Sequence, residues 1–151
     1  MESILTHKQT YDKYRWLYWN DNFLNKIEKA SMDGKNRTVI INTNVPVTHS
    51  LTLDYQKQML YWIDSDYRVL EGATVNGTNR RIIYSFSQTY TFYGISLYKD
   101  TLYLSQYRNL IYRVSTSGQN FTGIDNPYLC RKNYRQLKVF SEERQPQTSK
   151  L

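Results

Sequence analysis

The sequence contains little cysteine, histidine, proline or glycine: one Cys, two His, three Pro and six Gly among 151 residues. The single Cys130 excludes an internal disulfide framework and a cysteine-based zinc site. His7 and His49 have no other potential ligands near them in the sequence, so we predict no metal site and no cofactor. No apolar run approaches the ~20 residues of a membrane helix, and the first 15 residues lack the apolar core of a signal peptide.

Recognisable catalytic motifs are missing as well. The chain has no Gly-x-Ser-x-Gly elbow, no phosphate-binding loop and no Cys–His nucleophile pair. Asp64-Ser65-Asp66 brings two carboxylates together, but Tyr67 and Arg68 follow where a calcium loop has a Gly and a distal Glu. These absences predict that the chain is not an enzyme.

The charge is unevenly distributed. The chain contains twenty Lys and Arg and thirteen Asp and Glu, which gives a net charge of +7. Residues 131–151 hold six basic and two acidic side chains, a net +4, so the rest of the chain is nearly balanced. A nucleic-acid-binding domain would more often show a basic face with a recognisable motif. The alternation in Leu137–Phe140 favours a strand with Lys138 facing water; a polyanion-binding tail is the alternative.

Tyrosine is abundant, with 15 residues, and it belongs to an internal repeat. Leu-Tyr-Trp-Asn-Asp at residues 17–21 returns as Leu-Tyr-Trp-Ile-Asp at 60–64, and a weaker copy, Leu-Tyr-Leu-Ser, stands at 102–105. Each copy is followed by a glycine in a turn-like cluster, at Gly34, Gly77 and Gly118. Asp-Gly and Asn-Gly pairs are strong signals for tight turns. A period of ~40–45 residues is typical of propeller blades.

Short β-branched and aromatic segments between these turns predict four strands per repeat and no helix. The predicted inner strands are 50–54, 94–98 and 136–140, and the second strands are 17–20, 59–63 and 101–105. The predicted third strands are 27–32, 70–75 and 110–116, and the outer strands are 37–41, 80–85 and 121–124. Three blades are too few to close a ring, because propellers normally contain 4–8.

The Tyr-Trp-x-Asp motifs at 18–21 and 61–64, with the following Asp/Asn-Gly-x-Asn-Arg, resemble the YWTD repeat of the low-density lipoprotein receptor family and of nidogen. Leu137-Lys138-Val139-Phe140 and Arg144-Gln145-Pro146 look like the end of such a propeller. The third copy departs from the pattern, since Leu104 replaces the Trp and no Asp follows.

The resemblance implies an all-β fold: a partial, six-bladed YWTD-type β-propeller of about three blades, its C-terminal half. Residues 1–10 are predicted to be a poorly determined segment and residues 147–151 a tail. Residues 11–146 are predicted to form the partial propeller, with repeats at about 17–59, 60–101 and 102–146. Upstream blades and the cysteine-rich module expected after the propeller are absent, which favours a fragment of a longer protein; a free-standing half-propeller is the alternative.

The resemblance also implies a function. We expect a ligand-binding part of a receptor on the extracellular side of the plasma membrane, with lipoprotein, other endocytic cargo, or a Wnt-type ligand or antagonist as partner. The alternative is a nidogen-like matrix propeller that binds laminin. The remaining blades of the parent chain would be a further partner, and no nucleic acid is expected.

Three groups of residues follow from this interpretation. The aromatic and Asp residues of the repeated motif are expected to hold the blades together, because they can combine large buried area with a hydrogen bond; they are Tyr18, Trp19, Asp21, Tyr61, Trp62 and Asp64. The loops of one rim carry aromatic and Arg residues, which are enriched in binding interfaces; these candidates are Phe23, Tyr67, Arg68, Tyr90, Phe92, Tyr107 and Arg108. Three Asn-x-Thr sequons lie at the glycine turns and are candidate glycosylation sites: Asn36, Asn76 and Asn120.

Overall fold

The chain folds into antiparallel sheets, without helices in the residues that the structure describes. The computed structural model describes residues 8–11 as backbone, and 16–43, 48–87, 90–106 and 110–124 in full. Its strands are β1 Lys8–Tyr11, β2 Trp16–Asp21, β3 Lys26–Ser31, β4 Thr38–Ile41, β5 Thr48–Asp54, β6 Met59–Asp64, β7 Val69–Thr74, β8 Arg81–Ser85, β9 Phe92–Tyr98, β10 Thr101–Gln106, β11 Ile111–Ser115 and β12 Thr122–Ile124.

Each sheet is built from four consecutive strands. β1–β4 form blade A, β5–β8 form blade B and β9–β12 form blade C, and every neighbouring pair is antiparallel. The first strand of each sheet lies innermost, since β5 contacts both β1 and β9. Three sheets stacked face to face around their inner strands are part of a β-propeller.

The turn between the third and fourth strands has the same geometry in all three blades. In blade A the Ser31 amide donates to the Lys35 carbonyl (2.9 Å) and the Gly34 amide donates to the Ser31 carbonyl (2.8 Å). The central glycines have φ of 81°, 82° and 85°, a conformation that costs glycine little and other residues more. This turn chemistry is what the Asp-Gly, Asn-Gly and Ser-Gly pairs predict.

The core lies between the blades. Between blades A and B, Tyr18 and Ile27 meet Leu60 and Trp62 of the next sheet, the last two with no exposed surface. Between blades B and C, a second cluster joins Tyr61 and Leu70 to a set of residues on blade C; they are Phe92, Ile95, Leu97, Leu102, Leu104 and Val114. Each blade therefore depends on its neighbours for burial of its faces.

The prediction of an all-β, partial propeller is confirmed. Within the described residues the predicted strands coincide with observed ones to within a few residues. β1 was missed, because most of it lies in residues 1–10, for which the sequence predicted no defined structure. The predicted strand at 136–140 lies outside the described residues. None of the described residues belongs to a helix that is long and apolar enough to cross a membrane.

Candidate functional site

Strand direction places the connecting loops on two opposite rims. Because neighbouring strands are antiparallel, the loops after the second and fourth strands of each blade lie at one end of the sheets. We call this end the ligand rim; its described residues are 22–25, 42–43, 65–68, 86–87, 90–91 and 110. The glycine turns, at residues 32–37, 75–80 and 116–121, lie at the other end, which we call the glycine-turn rim.

The motif aspartates build the turns of the ligand rim. Asp21 Oδ1 accepts hydrogen bonds from the amides of Phe23 (3.0 Å) and Leu24 (2.9 Å). Asp64 Oδ1 accepts in the same way from Asp66 (3.0 Å) and Tyr67 (2.9 Å). Both carboxylates are buried. A carboxylate that accepts two backbone N–H groups fixes the loop, so the residues that follow it project from a defined turn.

Those turns expose large apolar side chains. Phe23 is 82% exposed, Tyr67 60% and Leu24 53%. Arg68 is also exposed and has φ of 54°, which matches Asn25 with φ of 51° at the equivalent position of blade A. Exposed aromatic residues on a rigid loop have the composition of a protein-binding surface. Three predicted rim residues, Phe23, Tyr67 and Arg68, therefore lie on the accessible ligand rim.

One of the rim predictions, Phe92, needs correction. Phe92 is only 2% exposed and belongs to the core between blades B and C. Tyr90 is parallel to it, with ring centroids 5.8 Å apart, and meets Tyr112 edge-on at 5.3 Å. These rings join an aromatic cluster that includes Phe121, so packing between blades buries Phe92 and leaves Tyr90 partly exposed. Tyr107 and Arg108 lie outside the described residues.

The aromatic residues of the motif lie in the core. Tyr18 is 5% exposed, Tyr61 2% and Trp62 0%. Burial raises the pKa of the Tyr18 hydroxyl, and burial followed by the nearby Asp54 carboxylate raises that of Tyr61. Their position in the clusters between blades gives them a packing role.

A buried Trp–Glu–Arg arrangement escaped the sequence analysis. The Trp62 indole N–H donates to Glu71 Oε2 (3.0 Å), and Arg80 donates to both carboxylate oxygens at 3.0 and 2.7 Å. The Arg80 guanidinium also lies 5.5 Å from the Trp62 ring centroid. A bidentate pair of this kind is a strong, directional contact. Arg80 further donates to the carbonyl of Thr43, which links blade B to the loop that leaves blade A.

Blade A repeats the bidentate Glu–Arg pair and the Arg–Trp contact of this arrangement with Glu28, Arg37 and Trp19. Arg37 donates to both Glu28 oxygens at 3.0 and 2.7 Å and lies 5.4 Å from the Trp19 ring centroid. Burial opposes ionisation of Glu28, but the hydrogen bonds and charges of Arg37 and Lys26 outweigh it and lower its pKa. The nine-residue spacing from Trp to Glu and from Glu to Arg is the sequence signal that could have revealed both arrangements.

Asp64 and His49 have perturbed pKa values for reasons that the packing explains. Burial raises the pKa of Asp64 despite its two backbone hydrogen bonds, and the nearby carboxylates of Glu71 and Asp66 raise it further. Burial lowers the pKa of His49, and the Asp66 carboxylate opposes part of that shift. The His49 ring centroid lies 5.1 Å from that of Tyr93 on the neighbouring inner strand.

The three candidate glycosylation sites lie on the glycine-turn rim. Asn36, Asn76 and Asn120 are all exposed. Glycosylation at these sites stays a prediction. Their position would leave the ligand rim free of glycans.

The described part of the chain contains no group of three or more His, Cys, Asp or Glu side chains that could hold a metal ion. A cavity of about 290 Å³ opens between blades A and B on the glycine-turn rim, lined by residues that include Trp16, Tyr18 and Lys29. Lys29 Nζ donates to Asn76 Oδ1 at 2.6 Å. This contact joins the two blades.

No protein-family model matches the chain. Among solved structures, the nidogen/laminin complex contains a chain with a TM-score of 0.72 and 20% sequence identity, covering 83% of this chain and 48% of that one. A catalytically inactive virginiamycin B lyase from Staphylococcus aureus with quinupristin gives a TM-score of 0.66 at 18% identity, with 84% and 43% coverage. A luciferin-regenerating enzyme gives 0.60 at 15% identity, with 82% and 46% coverage.

These similarities define the class of the fold: the chain is part of a β-propeller. It spans less than half the length of the nidogen-complex and lyase chains that it matches. At these sequence identities the structural similarity shows the fold alone. The predicted membership in the low-density lipoprotein receptor family is not confirmed by it.

The prediction that the chain is not an enzyme was wrong. The same fold carries lyase activity in the virginiamycin B lyases, with chains at TM-scores of 0.62, 0.63 and 0.66. The prediction relied on missing local motifs, and a propeller can assemble a site from loops of several blades that are distant in sequence. Missing motifs in one chain segment therefore exclude no activity for this fold.

Proposed function

We propose that the ligand rim is a protein-recognition surface. The observation that supports this most directly is the pair of rigid turns held by Asp21 and Asp64, which present Phe23 and Tyr67 at 82% and 60% exposure. Aromatic residues contribute much of the binding energy in protein interfaces, and preorganised loops lose less entropy on binding. Arg68 adds a charge beside Tyr67 that can pair with an acidic partner.

More specifically, we propose that the chain is part of a receptor of the low-density-lipoprotein-receptor-related type, on the extracellular side of the plasma membrane. Its partners would be lipoprotein or other endocytic cargo, or a Wnt-type ligand or antagonist. The support for it is the repeated Tyr-Trp-x-Asp motif together with the two turns that the motif aspartates Asp21 and Asp64 build.

A nidogen-like matrix role is the second candidate. It is supported by the similarity to a chain of the nidogen/laminin complex, at a TM-score of 0.72. In that case the partner would be laminin, and the same rim would be the surface to test first.

The experiment is a surface plasmon resonance assay of the full chain against three immobilised probes: laminin, low-density lipoprotein particles and a Wnt antagonist. We expect binding to one of them, and a loss of at least tenfold in affinity for the double variant Phe23→Ser with Tyr67→Ser. Met32→Ser is the matched control, because Met32 is an exposed apolar residue, 45% exposed, on the glycine-turn rim. Binding of laminin alone would favour the matrix role. No binding to any probe, or equal loss in both variants, would contradict the proposed rim.

A further inference from the structure

The glycine turn of each blade is part of a repeated contact between blades. At Gly77 of blade B, a Cβ atom would stand 2.0 Å from the carbonyl oxygen of Ile40 on the outer strand of blade A. At Gly118 of blade C, it would stand 2.1 Å from the carbonyl oxygen of Ile83 on the outer strand of blade B. Real Cβ atoms do not approach oxygen so closely, so these turns can pack against the preceding blade only as glycine.

Gly34 of blade A has the same turn but no such contact. Its φ of 81° and its turn hydrogen bonds match those of the other two glycines. No atom of the described residues lies within 4 Å of the position that its Cβ would occupy. The described residues leave open the space that an outer strand fills at the two other turns.

The same sheet face is partly exposed at Leu17 and is covered at Trp19 and Ala30, which are 9% and 4% exposed. Leu17 is partly exposed, whereas its equivalents Leu60 and Leu102 have no exposed surface because they pack against a preceding blade. We define the blade A face as Leu17, Trp19, Ala30 and Gly34, the equivalents of Leu60, Trp62, Ala73 and Gly77. It has the composition of an interblade interface and lacks its partner among the described residues.

Blade C carries the complementary surface. Ile111 and Tyr103 are partly exposed, although the residues that correspond to Ile111 in the other blades, Ile27 and Leu70, have no exposed surface. On the outer strand, Ile124 pairs with Ile111 as Ile41 pairs with Ile27. The residue before it, Gly123, is exposed. We define the blade C face as Tyr103, Ile111, Gly123 and Ile124; in the other blades this face receives the next blade's glycine turn.

We propose that two copies of this chain associate head to tail, with the blade A face of each copy packed on the blade C face of the other. The Gly34 turn would lie over the backbone of the partner's outer strand near position 123. A head-to-tail interface forms a closed ring when its rotation closes, and a filament otherwise. Closure is favoured because the chain supplies three blades and about half the length of the propellers it matches. The inference does not depend on which ligand the rim binds.

The first test is the mass of the full chain by light scattering and sedimentation velocity over a wide concentration range. We expect a dimer of twice 18.1 kDa. Gly34→Asn should convert it to a monomer, because Asn tolerates positive φ and its side chain points into the open space, yet would collide with a docked strand. Lys35→Asn is the matched control, since Lys35 is the exposed neighbour and leaves Gly34 intact. A wild-type monomer at every concentration would overturn the proposal and favour a blade of the same polypeptide as the occupant.

The second test separates head-to-tail docking from other self-association. Lys35→Cys and Thr122→Cys are made separately in a Cys130→Ser background, and both positions are exposed. A short bifunctional maleimide should link the two variants when they are mixed, and should link neither variant to itself. Equal self-linking of each variant alone, or a dimer that Gly34→Asn leaves unchanged, would contradict the proposed interface.

Discussion

Gly77 lies directly against the backbone of Ile40, so that a Cβ at position 77 would stand 2.0 Å from the Ile40 carbonyl oxygen. One glycine thus serves two purposes. It allows the positive φ of its own turn, and it lets that turn pack on the outer strand of the preceding blade. Turn geometry and blade packing are linked in this fold, and substitutions can separate their contributions.

The first prediction compares Gly77→Ala with Gly34→Ala. Both positions have almost the same φ, 82° and 81°, so the strain of placing alanine in this conformation is shared. Only position 77 meets a backbone oxygen, so its variant should lose about 1–3 kcal/mol more in free energy of unfolding. Urea unfolding in dilute solution measures the difference, and Gly118→Ala should behave like Gly77→Ala. Equal losses at positions 34 and 77 would contradict the contact with Ile40.

The second prediction concerns Arg80, which neutralises the buried Glu71 carboxylate. Arg80→Ala should lower the free energy of unfolding by about 3–5 kcal/mol, because it leaves the buried charge of Glu71 without its ion pair. Among the described residues, Glu71 would then keep only the hydrogen bond from the Trp62 indole N–H. Arg37→Ala is the control from blade A. There the Arg side chain is 56% exposed and Lys26 also contacts Glu28 at 3.1 Å, so a smaller loss is expected. Thermal unfolding of the two variants measures both losses of stability. A loss in Arg37→Ala as large as that in Arg80→Ala would contradict the prediction.

The repeat and its turns made the fold predictable, because Tyr-Trp-x-Asp and the Asp-Gly and Asn-Gly pairs act locally. The Asp-capped turns at Asp21 and Asp64 also belong to the motif. The burial of Phe92 could not be predicted, since it depends on how blade C packs against Phe86, which follows blade B, and on the position of Phe121 within blade C. Nor could the open space at Gly34, because it depends on what lies beside a sheet and not on the turn itself.

The third prediction separates the hydrogen-bonding role of Asp64 from its charge. Asp64→Ala removes the acceptor of two backbone amides and should destabilise the chain by about 1–3 kcal/mol. Asp64→Asn keeps one acceptor oxygen and removes a negative charge near Glu71 and Asp66, so we expect a smaller loss or none. Hydrogen exchange of the Asp66 and Tyr67 amides provides the local readout. Fast exchange in the Asn variant would show that the charge itself is required.

The fourth prediction is a pH dependence of stability that originates at His49. Its pKa is lowered from 6.5 by burial beside Tyr93, with Asp66 opposing part of the shift. The unfolded chain therefore binds a proton more readily at this residue than the folded chain does, and stability rises with pH in that range. The contribution of neutral His49 is fully present above about pH 6.5 and is lost as pH falls through its lower folded pKa. We expect the free energy of unfolding, measured with urea between pH 5 and 8, to rise less steeply with pH in His49→Gln than in the wild type. His7→Gln, which removes the other histidine, is the control and should keep the wild-type slope. A slope that His49→Gln leaves unchanged would assign the pH dependence to other groups.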